Sequence, residues 1–135
     1  MLHLVFNPVA GKGRALRSLS RIESLLQEHG LEYQLLVTGH EGHAIELAAA
    51  TPPGSTVVAL GGDGTVHEVV KGVLNGDAAD PTRQRTLGVV PVGSGDDFAF
   101  SLGIPRDDLP GAVRRLAEHR VKTVDVGYVD GEPFA

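Results

Sequence analysis

Asp63 is the residue around which chemistry can be assembled. It follows Gly61-Gly62, precedes Gly64-Thr65, and has Glu68 as a second carboxylate one turn further on. Three glycines in four positions leave a backbone without Cβ atoms, so a bulky anion can approach the peptide N–H groups. The stretch Thr56 to Leu60 is apolar after its first residue, while Val66, Val69, Val70 and Val73 recur at i, i+3, i+4 and i+7. The glycines therefore join a buried strand to an amphipathic helix, and the N-terminus of that helix favours negative charge. This is a phosphate cradle carrying one acid able to act. A plainer reading makes Asp63 a helix cap and nothing more. Two carboxylates beside a phosphate suit Mg²⁺, which takes a few acidic ligands together with substrate oxygens and water.

Gly93-Ser94-Gly95-Asp96-Asp97 repeats the pattern of strand, bare turn, hydroxyl and acids at a helix start. Those acids serve equally as helix caps or as part of a site. In the first loop, Asn7-Pro8-Val9-Ala10-Gly11-Lys12-Gly13-Arg14, the cations Lys12 and Arg14 can meet phosphate oxygens or simply be solvated. That loop is not a Walker A sequence, which ends Gly-Lys-Ser/Thr, and Leu16 stands where G-x-G-x-x-G needs its third glycine. The six histidines include no H-x-x-x-H pair, so no metal site is expected from them; His40 and His43 lie three apart. No Ser-His-Asp arrangement stands out.

These loops need elements to hold them. Leu2 to Phe6 reads as a first strand, and Leu16, Leu19, Ile22 and Leu26 as one helix face, with Gly30 suited to the C-terminal cap. Glu32 to Val37 is a second strand ending at Thr38-Gly39, and a short helix from about Gly42 to Ala50 stops at Pro52-Pro53. The helix after the glycine loop is expected to close at Asn75-Gly76, with a surface loop from Asp77 to Arg85. Thr86 to Val92 is a fourth strand. A short helix starts at Asp96-Asp97, Asp107 or Asp108 caps the next one, and Val121 to Val129 is a last strand. Alternating strands and helices predict an α/β three-layer sandwich with a mostly parallel sheet and helices on both faces. Ligands of such folds lie beyond the carboxyl ends of the strands, where all three glycine loops and Thr38 are expected to converge.

A chain of 135 residues with 41% hydrophobic and 21% charged residues fits one soluble domain. A net charge of -5 argues against general nucleic-acid binding, while leaving a local basic patch open. Without cysteine there is neither a disulfide nor a thiolate site. The start of the sequence lacks signal-peptide character, and no apolar run reaches the roughly 20 residues that span a bilayer, so a cytoplasmic protein is expected. Tyr128 to Ala135 reads as a strand, an Asp-Gly turn and the beginning of a returning strand. Residues 1–125 are therefore expected to be a first domain and 126–135 the start of a second, β-rich one. The open hairpin edge offers a place for a second copy to pair.

Leu60-Gly-Gly-Asp-Gly-Thr-Val-His-Glu-Val-Val70 and Leu87-Gly-Val-Val-Pro-Val-Gly-Ser-Gly-Asp-Asp-Phe-Ala99 together resemble the catalytic domain shared by diacylglycerol kinases, sphingosine kinases and related bacterial lipid kinases. Asn7-Pro8 with Gly11 resembles the first loop of that family. The first box alone also admits NAD kinases and phosphofructokinases; the second selects lipid kinases. The resemblance implies ATP and Mg²⁺ as cosubstrates and transfer of the γ-phosphoryl group to a lipid hydroxyl at a membrane surface. The implied nucleotide contacts are Asn7, Thr38, Ser94 and the segment Gly62, Asp63, Gly64, Thr65, Val66, His67 and Glu68, with Gly61 completing the cradle. Asp63 would be the catalytic carboxylate, as base or as organiser of Mg²⁺.

Two positions depart from the family pattern. Asp96 replaces the usual asparagine, substituting an acceptor for a donor, and Phe100 stands where many members have arginine. The resemblance also implies a second, β-rich domain, of which only the first residues are expected within this sequence. The alternatives to a lipid kinase domain are a nucleotide-binding fragment without activity of its own and an NAD kinase-like enzyme acting on a soluble substrate.

Overall fold

The computed structural model describes residues 1–105, 107–119, 127–129 and 132–134. Four apolar runs become β1 (Leu2–Phe6), β2 (Tyr33–Val37), β3 (Thr56–Gly61) and β4 (Thr86–Pro91), which form one all-parallel sheet in the order β2-β1-β3-β4. β1 and β3 occupy the centre, with Leu4 opposite Leu35 on one side and Val58 on the other. Every residue of β1 is buried, as is all of β3 after Thr56. Continuous apolar sequence is what a strand covered on both faces requires.

The covering helices are α1 (Arg14–Glu28), α2 (His43–Ala49), α3 (Asp63–Ala79), the short α4 (Asp97–Ser101) and α5 (Leu109–Glu118). α2 packs on α3, and α1 packs on α5 across the sheet from them, giving three layers with helices on both faces. The α2–α3 contact is close because Gly72 has no side chain: a Cβ there would lie 2.3 Å from the carbonyl oxygen of Ile45. α1 ends as its sequence suggests. Gly30, at φ +66°, donates to Gln27, and Leu31 donates back to Leu26, which satisfies the terminal carbonyls.

Three expectations need correction. Leu16 is 58% exposed and Ala15 takes its place in the core, so the buried face of α1 is Ala15, Ile22, Leu25 and Leu26. α3 runs through Asn75-Gly76 to Ala79. Gly76 does not end the helix; it makes room for Arg85, whose Nη1 would lie 2.6 Å from a Cβ there. Arg85 is not a surface residue: its side chain is 3% exposed, and it bonds Asp77, the Thr51 hydroxyl and the carbonyls of Ala49 and Thr51. The end of α2 and the last turns of α3 thus meet on one buried guanidinium, which overrides the stop signal in the sequence.

Near the end, β5 (Gly127–Val129) and β6 (Glu132–Phe134) pair antiparallel as a separate two-stranded sheet, and β6 contacts α3. The remainder of the expected last strand, residues 121–126, lies outside the described residues, as does the Asp130-Gly131 turn.

Candidate active site

The three glycine loops meet backbone to backbone. A Cβ on Gly62 would come within 3.0 Å of the Gly93 Cα, and one on Gly93 within 2.2 Å of the Gly62 Cα. On the far side, a Cβ on Gly11 would lie 2.4 Å from the Val92 carbonyl oxygen. Only bare backbone allows such an approach. Gly11, Lys12 and Gly13 all have positive φ (+62°, +56° and +90°), so the first loop is a left-handed turn laid against the β4 loop. The three loops do meet, with glycines as the immediate cause, but the turn after β4 does not reach the cavity that Thr38 lines.

Crossovers from β1 leave by α1 toward one face, and those into and out of β3 use α2 and α3 on the other. A crevice opens where the direction changes. Here lies a cavity of about 400 Å³ walled by Asn7, Thr38, His40, Glu41, Thr65 and Glu68. Asn7 is fixed at its floor. Its side-chain oxygen accepts from the Val9 N–H at 3.1 Å, and its amide nitrogen donates to the Thr65 hydroxyl at 3.3 Å. The Thr65 hydroxyl in turn would be 2.4 Å from a Cβ on Gly61, so that glycine secures the link between strand and helix. Thr38 extends the ladder beside it, its N–H bonded to Phe6 at 2.9 Å.

Asp63 occupies the other side of α3. The N-cap position belongs to Gly62 (φ -99°, ψ -165°), so Asp63 lies within the first turn and does not cap its own helix. Its Oδ2 accepts from the Asp97 N–H at 3.1 Å and would be 3.2 Å from a Cβ on Gly95. The acid of the first box thus sits at the start of α4, in the second. Gly62 brings no side chain to the first N–H groups of α3, and a Cβ on Gly64 would point into open space. Those donors suit a phosphate.

The expected pair of carboxylates is not assembled. Glu68 faces the cavity, whereas Asp63 faces α4, five residues and about 140° around the helix away. His67, like Asp63, is exposed on α3 and does not line the cavity, while Val66 is buried in the core. Ser94 is exposed in the turn after β4, also apart from the cavity.

Arg14 and Asp96 form a tie that their sequence positions conceal. Asp96 has φ +56° and is 3% exposed. Its Oδ1 accepts from the Gly93 N–H at 3.0 Å and its Oδ2 lies 3.6 Å from Arg14 Nη1. Arg14 also donates to the Gly93 carbonyl at 3.1 Å and pairs with Asp107. Arg14 is thus engaged by the loops and is not a solvated charge. Asparagine and aspartate are the non-glycine residues best suited to left-handed backbone, which accounts for a short acid at this position. Arg14 offsets part of its charge while also pairing with Asp107, so one guanidinium is shared between two carboxylates. His40 and Glu41 were not expected in the cavity wall. The signal for them was Thr38, since whatever follows a strand end at the crevice shares its wall.

Comparison with known proteins follows the same outline. The family model for the diacylglycerol kinase catalytic domain matches residues 1–129. A diacylglycerol kinase of Bacillus subtilis is 34% identical over 133 residues, covering 97% of this chain and 42% of that protein. Sphingosine kinase 1 of Rattus norvegicus is 36% identical over 102 residues, 73% of this chain and 27% of the relative. The crystal structure of a diacylglycerol kinase from Bacillus anthracis superposes with a TM-score of 0.79 at 29% identity, covering 98% of this chain and 47% of that one. This chain spans less than half the length of these relatives.

Proposed function

Because this chain belongs to the diacylglycerol kinase catalytic-domain family, we propose that it is the nucleotide-holding half of an ATP- and Mg²⁺-dependent lipid kinase. The observation that carries this reading is the cavity of about 400 Å³ between β1, β2 and α3, which unites Asn7, Thr38, Thr65 and Glu68 from separate elements. The nucleoside lies in this cavity and its phosphates reach the first N–H groups of α3. Gly61, Gly62 and Gly64 keep that approach clear, and Ser94 offers a hydroxyl from the neighbouring turn. Asp63 stands beyond the phosphates, facing the second box. Mg²⁺ would neutralise the phosphate charge, held by substrate oxygens and water together with a carboxylate of this site, Asp63 or Glu68.

Phosphoryl transfer asks mainly for positioning and charge neutralisation. Asp63 supplies the carboxylate that orients or deprotonates the acceptor hydroxyl, and the Asp97 N–H holds that carboxylate in place. Residues beyond about 125 begin the second, β-rich domain in this reading, and the acceptor site lies in the part of the longer relatives outside the match. The acceptor is diacylglycerol or a similar lipid alcohol, reached from the membrane surface by a cytoplasmic protein. Among the described residues no helix is long and apolar enough to cross a membrane. A second reading is a nucleotide-binding module without turnover by itself, favoured by the placement of Asp63, which faces α4 and not the cavity.

Calorimetric titration of the chain with Mg-ATP is the test. Binding that is weakened in Asn7→Ala and Thr65→Val is expected. No heat at millimolar Mg-ATP would overturn the placement of the nucleotide. Turnover with dispersed diacylglycerol then separates the enzyme from the module.

A further inference from the structure

His40, His43 and Glu46 bring one ligand atom each to within 4.8 Å of one another. The sequence shows no H-x-x-x-H pair here. The structure supplies the third donor through the turn of α2, on which His43 and Glu46 are three residues apart and share a face. The two imidazoles stack nearly parallel, with centroids 4.6 Å apart and an interplanar angle of 8°. None of the three side chains has a part in the phosphate-binding loops.

The hydrogen bonds of the two rings decide which nitrogen is available. His40 Nδ1 lies 2.9 Å from the Glu41 carbonyl oxygen, which only accepts, so Nδ1 carries the proton and Nε2 keeps its lone pair. A ring nitrogen fixed by a backbone carbonyl, with the other left for a cation, is the usual arrangement of a metal-binding histidine. His43 Nδ1 accepts from the Gly39 N–H at 2.8 Å. Ligation through either nitrogen of this ring requires the Gly39 N–H to let go, because a proton moved to Nδ1 would face that donor. Tetrahedral ligation at about 2.0–2.1 Å places ligand atoms roughly 3.4 Å apart. His40 and Glu46 are exposed, so rotation of their side chains closes the difference.

We infer that His40, His43 and Glu46 form a site for a borderline divalent cation of the Zn²⁺ class, beside the cavity that His40 helps to line. Two imidazoles and one carboxylate leave a fourth position for water and suit Zn²⁺. The same set is unsuited to Mg²⁺, whose ligands are oxygens. The site is thus chemically separate from any metal that accompanies nucleotide phosphates, and it stands whether or not the cavity holds a nucleotide.

The test uses the whole chain, free of affinity tags, and Zn²⁺ alone, in competition with a chromophoric chelator. One equivalent should be taken up, and His40→Ala, His43→Ala and Glu46→Ala should each lower the affinity at least about tenfold. His29→Ala, at the end of α1, should not change it. Circular dichroism of each variant should match the parent, since His40 and Glu46 are exposed and His43 is only half-buried. Co²⁺ in place of Zn²⁺ should give the visible absorption of a four-coordinate site, lost in His43→Ala. A chain that takes up no Zn²⁺ would overturn the inference, as would affinity unaltered by all three substitutions.

Discussion

The backbone N–H of Asp97 donates to the carboxylate of Asp63 across 3.1 Å, so the acid that opens α3 also serves the first residue of α4. The two glycine-rich boxes are therefore joined at the group proposed to do the chemistry. A carboxylate held by a fixed donor is oriented before any substrate arrives, which is how preorganised groups gain their effect.

Replacement Asp63→Asn preserves this relationship, because an amide oxygen still accepts from Asp97. The unfolding free energy should stay within about 0.5 kcal/mol of the parent. Phosphoryl transfer to dispersed diacylglycerol, followed by radiolabel, should fall by about two to four orders of magnitude. Transfer at the parental rate would remove Asp63 from the catalytic role.

Gly64 and Gly93 should respond oppositely to alanine. At Gly64 the space is open, and alanine favours the helix by up to about 1 kcal/mol, so urea denaturation should show no loss of stability. Mg-ATP affinity should nevertheless drop about tenfold or more, because the methyl group occupies the phosphate approach. At Gly93 the methyl group would meet the Gly62 Cα at 2.2 Å, and a loss of about 1–3 kcal/mol in stability is expected. Equal effects at the two positions would contradict the placement of the phosphates.

Arg85→Met removes the guanidinium that joins α2, α3 and β4 and leaves the 16%-exposed Asp77 without its ion pair. Breaking a buried pair from one side costs about 3–5 kcal/mol. Chemical denaturation should register a loss of that order, although the residue is remote from the cavity. A change below about 1 kcal/mol would show that the buried pair contributes little.

The Tyr33 phenol donates to Glu23, and this bond, followed by burial and by the Glu23 charge, raises its pKa above the ordinary 10.0. A raised acid stabilises the fold fully below the ordinary value, and that contribution is lost as pH rises through the raised one. The parent should therefore lose more stability than Tyr33→Phe as pH rises past the ordinary tyrosine value of 10.0. Parallel pH profiles of the urea midpoint would exclude this linkage.

Local signals made much of the fold legible. The strands are short apolar runs bounded by glycine, proline or asparagine, and the glycine loops mark themselves. What escaped was set by partners far along the chain. Asp63 and Asp97 are 34 residues apart, and Arg14 and Gly93 are 79 apart, so neither bond has a sequence period. The Asn75-Gly76 pair is a fair stop signal, overruled by Arg85. Leu16 and Ala15 are adjacent, and a small shift in the start of α1 decides which one is buried. Thr38 marked the crevice, but the contribution of His40 and Glu41 depended on how the loop after β2 turns.

The order β2-β1-β3-β4 has a consequence for synthesis, which proceeds from the N-terminus. When β1, α1 and β2 have emerged, β1 is paired along one edge only. Its other edge waits for Thr56–Gly61, more than a full helix and loop later. Throughout that interval the nascent chain presents an open apolar strand, the kind of edge that recruits chaperones or pairs with the wrong neighbour. His3, the polar residue within Leu2–Phe6, interrupts the run during this exposure and is buried in the finished sheet.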